Sequence, residues 1–258
     1  MKKLIKLGFL LVLLVVFYSC ANDKNGGVKL LVKLVETTED SSKVTTVFTY
    51  KGNEIVSTDN GKEHIDYTYT NGLITKVVTT KKSNQSVITS IYTYENDKLM
   101  SLKSSNKIII NFIHNSDGSV AYQNFIVDEK EQQIKKYHGI LSFKGGNLSK
   151  DVRILDDTEP GIVSKNEVSY EYDSKKNPFH NVLGYDKLLN QNQLISINNS
   201  LITMVENSIT NSVDDQIISS AKIYKSAFKY DDDSYPTEQI TENASGHLGY
   251  LKSNYFYE

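Results

Sequence analysis

The 258-residue chain has no tryptophan, three prolines and a single cysteine, Cys20. One cysteine cannot close an intrachain disulfide, and a structural zinc site would lack its usual thiolates. The five histidines, His64, His114, His138, His180 and His247, form neither a His-x-His nor a His-Glu-x-x-His pattern. No Gly-x-Ser-x-Gly elbow, P-loop or glycine-rich dinucleotide turn occurs. The sequence therefore names no catalytic residue, no metal ligand and no cofactor. Positive charge is not in surplus either. The formal net charge is −2, and a domain without a basic patch has no electrostatic hold on nucleic acid.

Long apolar runs are equally scarce. The run from Leu7 to Phe17, broken by Gly8, follows Lys2, Lys3 and Lys6 and leads to Tyr18-Ser19-Cys20. A membrane-spanning helix needs roughly 20 consecutive apolar residues. A charged start, a short apolar stretch and a small residue before the cut instead describe a secretory signal. Phe17-Tyr18-Ser19-Cys20 resembles the lipobox of bacterial lipoproteins, with Phe17 where that family usually has leucine or another aliphatic residue. The resemblance implies a signal peptide over residues 1–19, cleavage before Cys20, and acylation of that cysteine. Burial contributes about 0.8 kcal/mol per methylene, so two or more acyl chains tether a protein stably. Ala21, where many inner-membrane lipoproteins have aspartate, makes the outer membrane the expected address, on either its periplasmic face or the cell surface. Loss of residues 1–19 removes three lysines and leaves a net charge of −5. Residues 20–27, ending in Gly26-Gly27, read as the lipidated cysteine and a short flexible tether.

What the chain has in quantity is tyrosine, seventeen of them. This side chain favours strands and positions that are apolar at one end and wet at the other. An aromatic-x-aromatic triplet recurs at Phe48-Thr49-Tyr50, Tyr67-Thr68-Tyr69, Tyr92-Thr93-Tyr94, Tyr170-Glu171-Tyr172, Phe228-Lys229-Tyr230 and Tyr255-Phe256-Tyr257, with Leu141 and Phe143 as a related pair. Residues two apart on a strand share a face. Five positions beyond the second aromatic stands Ile55, Ile74, Leu99, Leu148 or Tyr235. Between them lie Gly52-Asn53, Asn71-Gly72, Asn96-Asp97, Gly145-Gly146 and Asp232-Asp233, the residues that tolerate positive φ in two-residue hairpin turns. Each copy is thus a hairpin with its aromatic opposite the residue five on. In the clearest, Tyr69 is expected opposite Ile74 and Tyr67 opposite Lys76. Ile108 to Phe112, a turn at Asp117-Gly118, then Val120 and Tyr122 make a hairpin with a longer loop.

One stretch breaks the pattern. Val182, Tyr185, Leu188 and Leu189 sit at helical spacing, and residues 191–215 are rich in Asn, Ser and Gln. An insertion over about 177–215, short and helical or irregular, is expected inside a single β-domain spanning 28–258. Asp231-Asp232-Asp233 could offer oxygens to calcium, but Pro236 replaces the glycine that an EF-hand loop requires, and the turn already explains the cluster.

The unit Tyr-x-Tyr-x-Asn-Gly-Leu-Ile-x-Lys-Val at Tyr67–Val77 resembles the hairpin of YD (RHS-type) repeats. It is similar also to a group of Bacteroidota envelope lipoproteins built from degenerate versions of that unit, and Tyr170–His180 matches a segment typical of the group. The resemblance implies β-rich architecture and brings no catalytic residues. Both faces of the hairpins mix apolar and polar residues, so the expected fold is all-β: an extended antiparallel meander forming a curved, partly open sheet. Three functions stay open: a non-enzymatic module binding a protein or glycan, a hydrolase of envelope or extracellular polymer with dispersed catalytic residues, and a purely architectural protein. The first is favoured, with Tyr67, Tyr69, Tyr92 and Tyr94 as the aromatics that could stack on a ligand. Oligomeric state is not legible.

Overall fold

A computed structural model describes residues 28–192, 194–211, 216–243 and 250–258. Cys20, its leader, the tether and His247 lie outside these described residues. Sixteen strands follow one another among the described residues. They are β1 (Leu31–Thr38), β2 (Lys43–Lys51), β3 (Glu54–Asp59), β4 (Glu63–Thr70), β5 (Leu73–Lys81) and β6 (Val87–Glu95). Next come β7 (Lys98–Ser104), β8 (Ile108–His114), β9 (Val120–Val127), β10 (Gln133–Lys144) and β11 (Asn147–Leu155). The longer β12 (Ile162–Lys176), β13 (Asn198–Asn211) and β14 (Gln216–Tyr230) precede β15 (Pro236–Asn243) and β16 (Tyr250–Tyr257).

Every strand pairs antiparallel with its neighbours in sequence, and β16 then pairs with β1, so the sheet is a closed barrel. The antiparallel meander is present; the partly open sheet is not. Closure also overturns the likeness to YD-repeat lipoproteins drawn from the Tyr67–Val77 unit, with which an open array of hairpins was expected. The physical reason lies in the hairpins themselves. Tyr50, Tyr69, Tyr94 and Phe143 do face Ile55, Ile74, Leu99 and Leu148, but each register then slips by one residue. The extra residues are Val56, Thr75, Met100 and Ser149, so Tyr67 faces Val77 rather than Lys76. In the fifth copy Tyr230 faces Pro236, Tyr235 belongs to the turn, and Thr237 is the extra residue. A bulge bends its strand and increases local twist, and a barrel needs such coiling and stagger to meet its own edge. Five bulges at equivalent places coil the sheet until β16 reaches β1. Three of them carry hydroxyls that donate across the ladder: Thr75 to Thr68 O at 3.4 Å, Ser149 to Ser142 O at 2.9 Å and Thr237 to Lys229 O at 3.2 Å.

The short turns cluster at one end of the barrel, where three of them hold both central residues at positive φ: Asn71 and Gly72, Asn96 and Asp97, Gly145 and Gly146. Both ends of the described chain lie there too, with Leu30 and Glu258 exchanging backbone hydrogen bonds of 3.1 and 3.0 Å. The break in the pattern connects β12 to β13 and stops at residue 197, because β13 begins at Asn198 rather than after 215. This segment folds into the barrel as a plug. Its Val182, Tyr185, Leu188, Leu189 and Ile195 are buried, with a single 3₁₀ turn at Tyr185–Lys187. They join Phe48, Ile55, Ile74, Leu99, Phe112 and their neighbours in one core inside the barrel.

Candidate functional site: the barrel interior

Inside and outside can be assigned strand by strand. The aromatic triplets put their first and third members inward. A second row of contacts then ties one hairpin to the next. Tyr94 donates its hydroxyl to Ile74 O at 2.9 Å, Tyr172 to Leu148 O at 2.7 Å, and Tyr257 to Pro236 O at 2.8 Å. Tyr50 reaches Leu31 O at 2.8 Å, and His114 Nε2 lies 2.9 Å from Leu99 O. Tyr69 accepts the amide of Ile55 at 3.2 Å while donating to Leu183 O of the plug at 2.9 Å. Each link satisfies a backbone group freed by the bulge or turn beside it, which is where a phenol at the end of a long rigid arm fits.

The plug is latched by polar groups at both ends. Asn147 and Asn198 exchange hydrogen bonds, Nδ2 to Oδ1 at 2.9 Å and backbone amide to Oδ1 at 3.0 Å. Ser196 Oγ takes the amide of Leu148 at 3.1 Å and donates to Tyr172 at 2.9 Å. Leu183 N donates to Asn53 O at 2.9 Å. Asn192 donates to the buried carboxylate of Asp151 at 3.0 Å, which also receives the Tyr122 hydroxyl at 2.6 Å. Arg153 lies 3.5 Å from Asp151 with its guanidinium 4.6 Å from the centre of the Tyr137 ring. These contacts seal the end of the barrel where the turns cluster.

The plug leans on β2–β11 and leaves a cavity of about 450 Å³ against β12–β16 and β1. Its walls carry Tyr170, Tyr172, Tyr224, Phe228 and Tyr255, interleaved with Thr203, Ser226, Thr241, Ser253 and Gln239. Asn192 and Asn199 close it toward the plug, and Glu36 is its one carboxylate, pushed above the usual glutamate range by burial. Burial also raises the Tyr172 phenol to about 12. Among the described residues no lysine or arginine lines the cavity.

The outer wall is the converse. Thr68, Lys76, Ile91, Lys103, Ile109, Phe125 and Lys135 stand in register across seven strands as one outward row. Ion pairs are strung over the same surface: Glu238 with Lys229 and Lys252 at 2.8 and 2.6 Å, and Glu167 with Lys150 and Lys165. Asp59 joins Lys82 at 2.7 Å and His64 at 3.1 Å, and His138 lies 2.9 Å from Asp156. Asp231 and Asp233 hold Lys29 at 2.6 and 3.0 Å, while Asp231 Oδ1 accepts the turn amides of Asp233 and Tyr235. That cluster is a turn with an ammonium partner.

Of the aromatics singled out in the sequence, all four face inward on the plug side. Tyr67 meets Tyr185 with ring centres 5.9 Å apart, Tyr92 is buried, and Tyr69 and Tyr94 spend their hydroxyls on backbone. The rings that border open space are on the other wall. Period-two alternation in β14–β16 places Tyr224, Ser226 and Phe228, then Gln239 and Thr241, then Ser253 and Tyr255, each set on one face. Their meeting with Glu36 required the closure of β16 onto β1.

No family model matches the chain and no curated protein matches it. The fold is similar to a solved porin-like protein from Bacteroides vulgatus, at a TM-score of 0.58 and 12% identity over 89% of this chain and 99% of that one. A porin-like protein from Bacteroides uniformis aligns at a TM-score of 0.42 and 11% identity over 88% and 96%. The first likeness shows the barrel fold. The outer wall interleaves lysines and ion pairs with exposed apolar side chains such as Ile91, Ile113, Ile140 and Phe256, where a membrane-spanning barrel has an outward apolar band flanked by aromatic girdles.

Proposed function

We propose that this protein is a non-enzymatic component of the bacterial cell envelope, tethered to the outer membrane by lipid on Cys20, whose barrel stands in water and takes a ligand into its interior. The observation that carries the reading is the outward row containing Lys76, Lys103 and Lys135. A lysine facing lipid at the bilayer midplane costs about 2–4 kcal/mol, and three in one row, with ion pairs around them, favour solvent over lipid. Membrane attachment then falls to the N-terminal anchor. Val28, the first described residue, borders the plugged end of the barrel.

The porin-like fold supports the envelope setting without supplying a pore, since the plug core fills one end. A hydrolase is less well supported, because glycoside hydrolysis takes a pair of carboxylates and the described residues of the cavity wall offer Glu36 alone. The test is growth with labelled palmitate followed by membrane fractionation of the wild type and Cys20→Ala. Label and outer-membrane residence that vanish together in the variant support the reading. A Cys20→Ala protein that stays integral to the membrane, or a wild type that conducts ions across a planar bilayer, would show a spanning barrel instead.

A further inference from the structure

We infer that the cavity between the plug and β12–β16 is a binding site for a neutral carbohydrate of one or two pyranose rings, an inference that rests on the proposed role as a ligand-binding barrel. Pockets that enclose small ligands run from about 300 to 1,000 Å³, and this cavity of about 450 Å³ lies in that range. Its chemistry narrows the class. A pyranose presents C–H faces that pack on aromatic rings and an equator of hydroxyls that need donors and acceptors in turn. The wall supplies both. Phe228 stacks with Tyr230 at 5.9 Å between ring centres, and Tyr170 lies beside Tyr172 at 6.1 Å, giving two aromatic platforms.

Between them runs a preorganised polar strip. Gln239 donates to Ser226 Oγ at 3.0 Å and to Thr241 Oγ1 at 3.1 Å, and its Oε1 receives the Tyr255 hydroxyl at 2.5 Å. Ser226 and Thr241 also lie 3.1 Å apart. Each of these hydroxyls can both donate and accept, so the strip keeps unused capacity for a ligand. Asn199 borders the same cavity, its amide nitrogen held by Asp173 at 3.2 Å and by Lys176 O at 3.0 Å.

Other ligand classes fit less well. With no lysine or arginine among the described residues of the wall, a phosphate, sulfate or uronate would be buried without a counter-charge. A cation would want several oxygen ligands with fixed charge, and among the described residues the wall offers the carboxylate of Glu36 alone. A lipid tail would strand the hydroxyls and amides.

The experiment is titration of the full lipidated protein in nanodiscs by saturation-transfer NMR. The probes are maltose, cellobiose, mannobiose, xylobiose and N,N′-diacetylchitobiose, with choline and a glucuronate-containing disaccharide as charged counterparts. At least one neutral probe should bind with a Kd of about 1 mM or tighter. Ser253→Leu, which narrows the cavity, should weaken it at least tenfold, whereas Lys76→Ser on the outer wall should leave it unchanged. Phe228→Tyr, which keeps the platform, should preserve binding even if Phe228→Ala fails to fold. No neutral probe binding, binding that survives Ser253→Leu, or preference for choline or the uronate would each overturn the inference. The palmitate and fractionation results do not depend on any ligand, so failure of the carbohydrate site and failure of the envelope reading are separately visible.

Discussion

The hydroxyl of Tyr94 donates to the carbonyl of Ile74 across a hairpin boundary, at 2.9 Å. Ile74 is itself the apolar residue facing Tyr69, so the same position is clasped from the front by a ring and from behind by a phenol. Tyr172 repeats the arrangement on Leu148, and His114 stands in for tyrosine on Leu99. The abundance of tyrosine is therefore structural in origin. Tyr94→Phe and Tyr172→Phe should each destabilise the barrel by about 1 kcal/mol, the net contribution of a hydrogen bond to stability. Urea unfolding should show a lower midpoint with an unchanged slope, and near-additivity in the double variant, because the two sites share no partner.

Alkali should report the same burial. Burial raises Tyr92 and Tyr172 to about 12, and pushes Tyr50, Tyr69, Tyr94 and Tyr257 upward as well. An unfolded tyrosine ionises near pH 10. The stability these residues contribute is thus complete below about pH 10 and is lost as pH rises toward their folded values. Absorbance at 295 nm should show a minority of tyrosines titrating near pH 10, with the rest ionising together as the circular dichroism of the sheet collapses.

Acid should act on the outer wall. Hydrogen bonds from Lys229 and then Lys252 hold the Glu238 carboxyl down at about 2. Its pairing is present above the usual glutamate range near 4.3 and is lost as pH falls toward 2. Glu238→Gln should lower stability at neutral pH and leave it little changed near pH 2, flattening the acid limb between those values, as read by thermal melts across the pH range.

Gly139 faces Tyr122 so closely that an added Cβ would sit 2.3 Å from Val152 O and 2.4 Å from Tyr122 Cζ. Gly139→Ala should destabilise by about 1–3 kcal/mol through overpacking. It should also displace the Tyr122 hydroxyl from Asp151, loosening the Asn192 latch of the plug. Hydrogen exchange across 177–197 should quicken in this variant.

Tyr185 anchors the plug against Tyr67 and Phe179, with ring centres 5.9 and 5.4 Å apart. Its truncation to alanine removes one of the largest buried rings from the core and should cost about 3–5 kcal/mol, measurable as a large fall in Tm. Retention of wild-type stability in Tyr185→Ala would mean that the plug is not part of the cooperative core.

Much of this was readable before any coordinates. Aromatic spacing and Asn/Gly turns located the hairpins, and the helical spacing of Val182, Tyr185, Leu188 and Leu189 marked the segment that buries itself. The one-residue slips at Val56, Thr75, Met100 and Ser149 were not readable, because a bulge leaves the composition of its strand unchanged. They matter most, since they move Val77 to the inner face and coil the sheet shut. Closure of β16 onto β1 was not readable either, because pairing between the two ends of the barrel leaves no local spacing signal in the sequence. The cavity was hidden for the same reason, being assembled by strands whose adjacency depends on that join.

The join between β1 and β16 also sets an order of events. Strand β1 waits for β16, and until Tyr250–Tyr257 arrives the sheet has two bare edges. A polypeptide stalled anywhere before that point is an open ribbon able to pair with its neighbours. Completion of the barrel is therefore a length check that the chain performs on itself, and the cavity exists only in molecules that pass it.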